Sequence, residues 1–229
     1  MKTNEELQHD VMEEIKLDPR LRTIASEIGV TAKDGVVTLT GEVDTYRKKL
    51  AAGRAAQRVR GVKVVAVEIE VDLSGTNHKA DIEIADAVNE VLRWNEAVDE
   101  DQIEIRVDNG WIFLDGAVEW EYQRKAAERA VHDLKGVRGV TNRITLKTKA
   151  VINPKEVKGK IAAAFHRNAT IDASSVQVEI AGSQVKLQGK VRTWAERQEA
   201  ENAVWSLPGI TSVDNKIEVD PALHLLATK

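Results

Sequence analysis

The residues best suited to proton transfer or metal ligation near neutral pH are five histidines: His9, His78, His132, His166 and His224. None is spaced with other histidines, aspartates or glutamates as a metal site or a catalytic triad requires. His9 and Glu13 share a helix face, a weak pairing for a divalent ion; both read more simply as surface residues. Asp99-Glu100-Asp101 lacks the alternating ligands and the glycine of a calcium loop, and reads as an acidic cap before a strand. There is no glycine-rich phosphate loop and no nucleophile elbow. The chain has no cysteine, which excludes disulfides, thiolate nucleophiles and zinc–thiolate sites. Nothing here calls for a catalyst, a metal or a cofactor, and the expectation is a non-enzymatic protein.

The remaining chemistry is non-covalent. Between Thr45 and Val67 there are seven basic residues and no acid: Arg47, Lys48, Lys49, Arg54, Arg58, Arg60 and Lys63. On a helix, Arg47, Arg54 and Arg58 fall within about 40° of each other, with Leu50 beside them. Arg47, Lys48, Arg54 and Arg58 are therefore candidates for binding an anionic lipid surface. The competing reading is a solvated helix face whose cations pair with acids elsewhere in the chain. A second feature is the crowding of aromatics into the middle of the sequence: Trp94, Trp111, Phe113, Trp120 and Tyr122. Trp111 and Phe113 alternate out of phase with Ile112 and Leu114. They should form an apolar patch on the open side of a sheet, a candidate interface with another module, another copy, a membrane or a protein ligand.

The elements that position these residues come from a threefold internal repeat. Val37-Thr38-Leu39-Thr40-Gly41, Ile112-Phe113-Leu114-Asp115-Gly116 and Val185-Lys186-Leu187-Gln188-Gly189 end alike, with glycines 75 and 73 residues apart. A second glycine, Gly61, Gly136 or Gly209, follows each first one after 20 residues. Between them, Ala52/Ala55/Ala56/Val59, Ala127/Ala130/Val131/Leu134 and Ala200/Ala203/Val204/Leu207 mark one helix face at i, i+3, i+4, i+7. The second glycine sits where that helix should end in a left-handed residue.

A period-two strand precedes each first glycine: Ile28, Val30 and Ala32; Ile103, Ile105 and Val107; Val176, Val178 and Ile180. Asp34-Gly35, Asn109-Gly110 and Gly182-Ser183 supply the hairpin turns. Another strand follows each second glycine, along Val62–Val71, Val137–Leu146 and Ile210–Val219. Each copy opens with a helix, carried by Leu7/Val11/Ile15, Ile84/Val88/Leu92 and Val157/Ile161/Phe165. Thr3-Asn4-Glu5-Glu6 forms a capping box, and Asn153-Pro154 an N-cap followed by proline. The first copy has two extra residues near Asp18-Pro19-Arg20. The predicted fold is α+β: three tandem α-β-β-α-β modules at 1–74, 78–148 and 152–221, with a tail at 222–229. Each should be a three-stranded mixed sheet with two helices on one face. The linkers are short, so the modules are expected to pack together.

The segments Gly35–Asp44 and Ala55–Val62, with Asn109–Val118, Val131–Val140, Val185–Val191 and Leu207–Ile210, resemble the BON domain, named for bacterial osmotically inducible and nodulation proteins. The resemblance covers nearly the whole chain. It implies a transport-associated or osmotic-stress protein, and some relatives lie in the periplasm or outer membrane and bind phospholipid. The leading expectation is a stress-associated binding protein that contacts an anionic phospholipid surface or an envelope protein; the alternative is a structural or adaptor protein whose repeats bind proteins and self-associate.

Composition bounds these readings. Lys and Arg number 33 against 37 Asp and Glu, a net charge of −4, which speaks against a broad nucleic-acid-binding face. No apolar run approaches the ~20 residues of a membrane span. Met1–Leu7 has no apolar export core. The expectation is a cytoplasmic location, or a periplasmic one where a signal has been removed.

Overall fold

A computed structural model describes residues 2–74, 78–147, 154–167 and 175–225. The predicted cap at Asn153 and most of both inter-module linkers lie outside these residues. Module one runs α1 (Asn4–Leu17), β1 (Ile28–Lys33), β2 (Val36–Val43), α2 (Tyr46–Arg58) and β3 (Val64–Val71). Module two repeats this order as α3 (Asp81–Arg93), β4 (Ile103–Asp108), β5 (Trp111–Val118) and α4 (Glu121–Val131), with its third strand in two pieces, β6 (Gly139–Asn142) and β7 (Thr145–Leu146). Module three comprises α5 (Pro154–Arg167), β8 (Val176–Ala181), β9 (Gln184–Val191), α6 (Trp194–Trp205) and β10 (Ser212–Val219). The break between β6 and β7 lies where the Asn142 side chain accepts the Ile144 N–H at 3.1 Å.

In each sheet the middle strand is antiparallel to the first and parallel to the third. The hairpins close through Asp34-Gly35 and Asn109-Gly110, with all four residues at positive φ, as a type I′ turn requires. Gly182 alone turns positive in the third hairpin.

The first repeated glycine has a steric cause. Gly41, Gly116 and Gly189 pair with the first residues of their partner strands, Ile28, Ile103 and Val176, at φ of 122°, 132° and 129°. A Cβ at any of them would collide with the carbonyl oxygen of Glu27, Gln102 or Ser175, respectively. The second glycines differ slightly from expectation. The helices stop at Arg58, Val131 and Trp205, three to five residues early, and Gly61, Gly136 and Gly209 shape the turn into the third strand.

The three cores are equivalent. Leu39, Leu114 and Leu187 are fully buried on the helix side of their sheets. The opening helices bury Leu7/Val11/Ile15, Ile84/Val88/Leu92 and Val157/Ile161/Phe165. Small residues let the second helix lie close to its sheet, most of all in α2, where Ala51, Ala52, Gly53, Ala55 and Ala56 are all buried. At Gly53 a Cβ would come within 3.2 Å of Val67. The insertion in module one becomes a charged clasp. The buried Asp18 carboxylate accepts from Arg20 Nε (2.9 Å) and Nη2 (2.6 Å), and Arg58 Nη2 on α2 lies 3.6 Å away.

Candidate interaction surfaces

The predicted basic residues lie on the outer side of α2, but three of the four are already ion-paired. Arg47 Nε is 3.5 Å from Asp133 of module two, Lys48 Nζ 2.7 Å from Asp44, and Arg58 Nε 2.7 Å from Glu14 on α1. Arg54 is exposed and makes no ion pair among the described residues. Leu50 is half-buried. Pairs this exposed contribute about 0–1 kcal/mol each, so they orient these arginines more than they hold the fold.

The aromatic patch of module two is present and has a defined form. Trp111 is 42% exposed and lies flat across β6, its indole N–H donating to Thr141 Oγ1 at 2.8 Å. It can lie flat because residue 139 is glycine: a Cβ there would stand 2.7 Å from the indole. Next to it on the same strand, Phe113 is flanked by Arg106, 3.7 Å from the ring centroid, and Arg143, at 5.2 Å. Each such contact is worth about 0.5–1 kcal/mol where solvent reaches it. The counterparts of Trp111 and Phe113 are Val36 and Thr38 in module one, and Gln184 and Lys186 in module three. On the open face of its sheet, module two alone among the described residues therefore presents an aromatic–guanidinium platform. Trp94, Trp120 and Tyr122, also exposed, belong to this module too.

Between modules, the structure shows contacts that sequence reading did not find. Tyr46, at the start of α2, packs on the core of module two, edge-on to His132 with ring centroids 5.6 Å apart. Burial raises the Tyr46 hydroxyl above its usual range. His132 is buried and its Nε2 stands 3.5 Å from Glu128 Oε1. The nearby His132 imidazole, with a hydrogen bond from Asn142, holds the Glu128 carboxyl below its usual range. The same helix ends meet between modules two and three. Arg124 lies 5.1 Å over the Trp205 ring, and Lys125 Nζ donates to Asn202 at 3.3 Å. Trp205 occupies the repeat position of His132, and Glu121 that of Tyr46. The contact is thus a repeated head-to-tail one between successive second helices.

A second repeated contact sits at the ends of the third strands. Asp72 and Asp220 donate their backbone N–H groups to Val43 and Val191 at equivalent positions, 2.8 and 2.7 Å. The next residue, Leu73, is buried over Gly110 of module two. Its counterpart Pro221 lies instead across a cavity from Leu7, Gly35 and Gly61 of module one. The end of module three thus returns to the start of module one, and α2 and α6 approach each other. The three modules close into a ring.

Among the described residues no cluster of three or more His, Asp or Glu could hold a metal ion, and no helix is long and apolar enough to cross a membrane.

This architecture is that of three tandem α+β modules, each a small three-stranded mixed sheet with its helices. The BON domain model matches residues 3–72, 80–148 and 155–221. The chain belongs to the BON domain family, as a triple-BON protein. No curated protein matches it. Solved structures similar to it include CdsD, a structural protein of the type III secretion system of Chlamydia trachomatis (17% identity, covering 95% of this chain and 94% of that one, TM-score 0.28). Another is the PrgH periplasmic domain (13% identity, 85% and 95%, TM-score 0.22). A superposition this loose carries no function across.

Proposed function

We propose that the protein is a non-enzymatic adaptor: a ring of three BON modules that holds out the open sheet face of module two to a protein partner. The observation that carries this reading is the difference between the three otherwise equivalent faces. Only module two replaces small and polar residues with Trp111 and Phe113, with Arg106 and Arg143 over the Phe113 ring. Aromatic rings and arginines are among the side chains most enriched at protein interfaces. Arg106 already reaches Asp108 at 3.6 Å; Arg143 makes no ion pair among the described residues and suits a segment carrying a carboxylate beside apolar side chains. The phospholipid reading has less support, because Arg47, Lys48 and Arg58 already have carboxylate partners.

Two measurements separate the readings. A photo-crosslinker at residue 113 should trap a protein adduct in the native host, and one at the equivalent residue 186 should not. The purified protein should remain in the supernatant with neutral and anionic vesicles alike at physiological salt. Co-sedimentation with anionic vesicles that Arg54→Glu abolishes would replace the adaptor by a lipid-binding protein.

A further inference from the structure

The first strand of module two is an open edge. Asp108 and Trp111 close a two-residue turn, so Asp108, Arg106 and Glu104 exchange hydrogen bonds with β5. The backbone groups of Ile103, Ile105 and Val107 therefore point away from the sheet. The Ile103 N–H donates to the Glu100 carbonyl oxygen. The others have no partner strand, because β4 ends its sheet. The opposite edge is broken between β6 and β7, which leaves β4 as the continuous one. The outer flank of β4 is also incompletely covered by α3. Ile105 and Val107, on the helix side, are only half-buried, whereas Ile112 and Leu114 on β5 are fully buried.

An unpaired edge invites other strands, and proteins usually blunt it with charge. Along β4 the open-face charges alternate in sign: Glu104, Arg106, Asp108. Antiparallel pairing with β4 of a second copy must set outward-pointing residues against each other, which restricts the register. In one allowed register Ile105 faces Ile105 across a two-fold axis, Ile103 faces Val107, and Glu104 stands opposite Arg106 in both directions. The neighbouring registers put Glu104 against Glu104, or Arg106 against Arg106 with Glu104 against Asp108. Opposite charges directly across a strand pair stabilise it and like charges destabilise it, so the charges select the first register. Glu104 is exposed and makes no ion pair among the described residues. Arg106 lies over Phe113 and 3.6 Å from Asp108, and its five N–H donors leave room for a second carboxylate. The equivalent strands lack this pattern. Their open-face residues are Gly29, Thr31 and Lys33 on β1, and Gln177, Glu179 and Ala181 on β8, and neither set sets opposite charges across a two-fold axis.

We propose that β4 is a homodimerisation edge: two copies pair β4 antiparallel about an axis at Ile105, with Glu104 of each opposite Arg106 of the other. The two module-two sheets become one continuous sheet. Pairing is edge to edge, so the faces carrying Trp111 and Phe113 stay open, side by side. The proposal does not rest on the protein partner assigned to that face, and either can fail without the other.

A single strand pair buries less area than a stable dimer needs, so the expected dissociation constant is about 0.1 mM, to be read by sedimentation equilibrium of the full chain from about 1 µM to 1 mM. Glu104→Arg and Arg106→Glu, each alone, set like charges opposite each other and should weaken the dimer about tenfold or more. An equimolar mixture of the two variants restores opposite charges across the axis and should dimerise as wild type does. In the wild type, amide hydrogen exchange should slow with rising concentration at Ile105 and Val107, and not at Val178 or Ile180, their equivalents on β8. A chain that stays monomeric throughout this range would overturn the proposal. So would a dimer that either variant leaves intact, a mixture no better than its components, or protection on β8 in place of β4. Both substitutions are at exposed positions; should either variant not fold, the wild-type exchange pattern still decides.

Discussion

Gly116→Ala tests the account of the repeat most directly. At φ 132° the residue occupies a region that only glycine enters freely, and forcing alanine there costs roughly 1–3 kcal/mol. The new methyl would also strike the Gln102 carbonyl oxygen. Relieving that collision separates β4 from β5 at the Ile103–Gly116 pair, with loss of about 1 kcal/mol for a strained or broken ladder bond. The sum is roughly 2–4 kcal/mol. A module of about 70 residues has only about 3.5–10 kcal/mol in all. Urea denaturation followed by tryptophan fluorescence suits the measurement, because all five tryptophans lie in modules two and three. With a urea slope of about 2 kcal/mol per molar, the module-two midpoint should fall by about 1–2 M. A midpoint within about 0.2 M of wild type would mean that the glycine is not sterically required and that the common origin assigned to Gly41, Gly116 and Gly189 is wrong.

Three further outcomes are expected. Leu114→Ala should destabilise module two by roughly 2–5 kcal/mol, read as a lower urea midpoint; no change would mean that the strand register is shifted by one. The Asp18 carboxyl is held at about 2, first by the Arg20 hydrogen bond and further by Arg58. A depressed carboxylate contributes stability above its unfolded pKa of about 3.9 and loses it as pH falls through its folded value. Module one should therefore lose roughly 1 kcal/mol between about pH 4 and 2, after allowance for the half-exposed arginines, and Asp18→Asn should remove that part of the acid dependence in circular dichroism melts. Tyr46→Ala should loosen the contact of module one with module two without unfolding either. Faster proteolysis in the linker at 75–77 with unchanged module melting would show this, whereas unchanged proteolysis would mean that the Tyr46–His132 contact does not hold the modules together.

The sequence alone determined the module. Period two in the strands, the i, i+3, i+4, i+7 helix faces and the glycine spacing are local properties of about 75 residues. Written three times, they placed Leu39, Leu114 and Leu187 in equivalent cores before any coordinate was known. The outward phase of Trp111 and Phe113 was legible for the same reason, since a strand's side chains must alternate.

Only the tertiary structure decided how the modules use these surfaces. Arg47, Arg54 and Arg58 share a helix face in the sequence, but nothing there brings Asp133 to Arg47, or Glu14 and Asp18 to Arg58. Nor does it place Tyr46 against His132, or separate a buried Leu73 from a short Pro221 at the same repeat position. Those contacts join residues about 40 to more than 150 positions apart. Their energies depend on distance and burial, not on periodicity, so the closed ring and its unequal junctions exist only once the chain has folded.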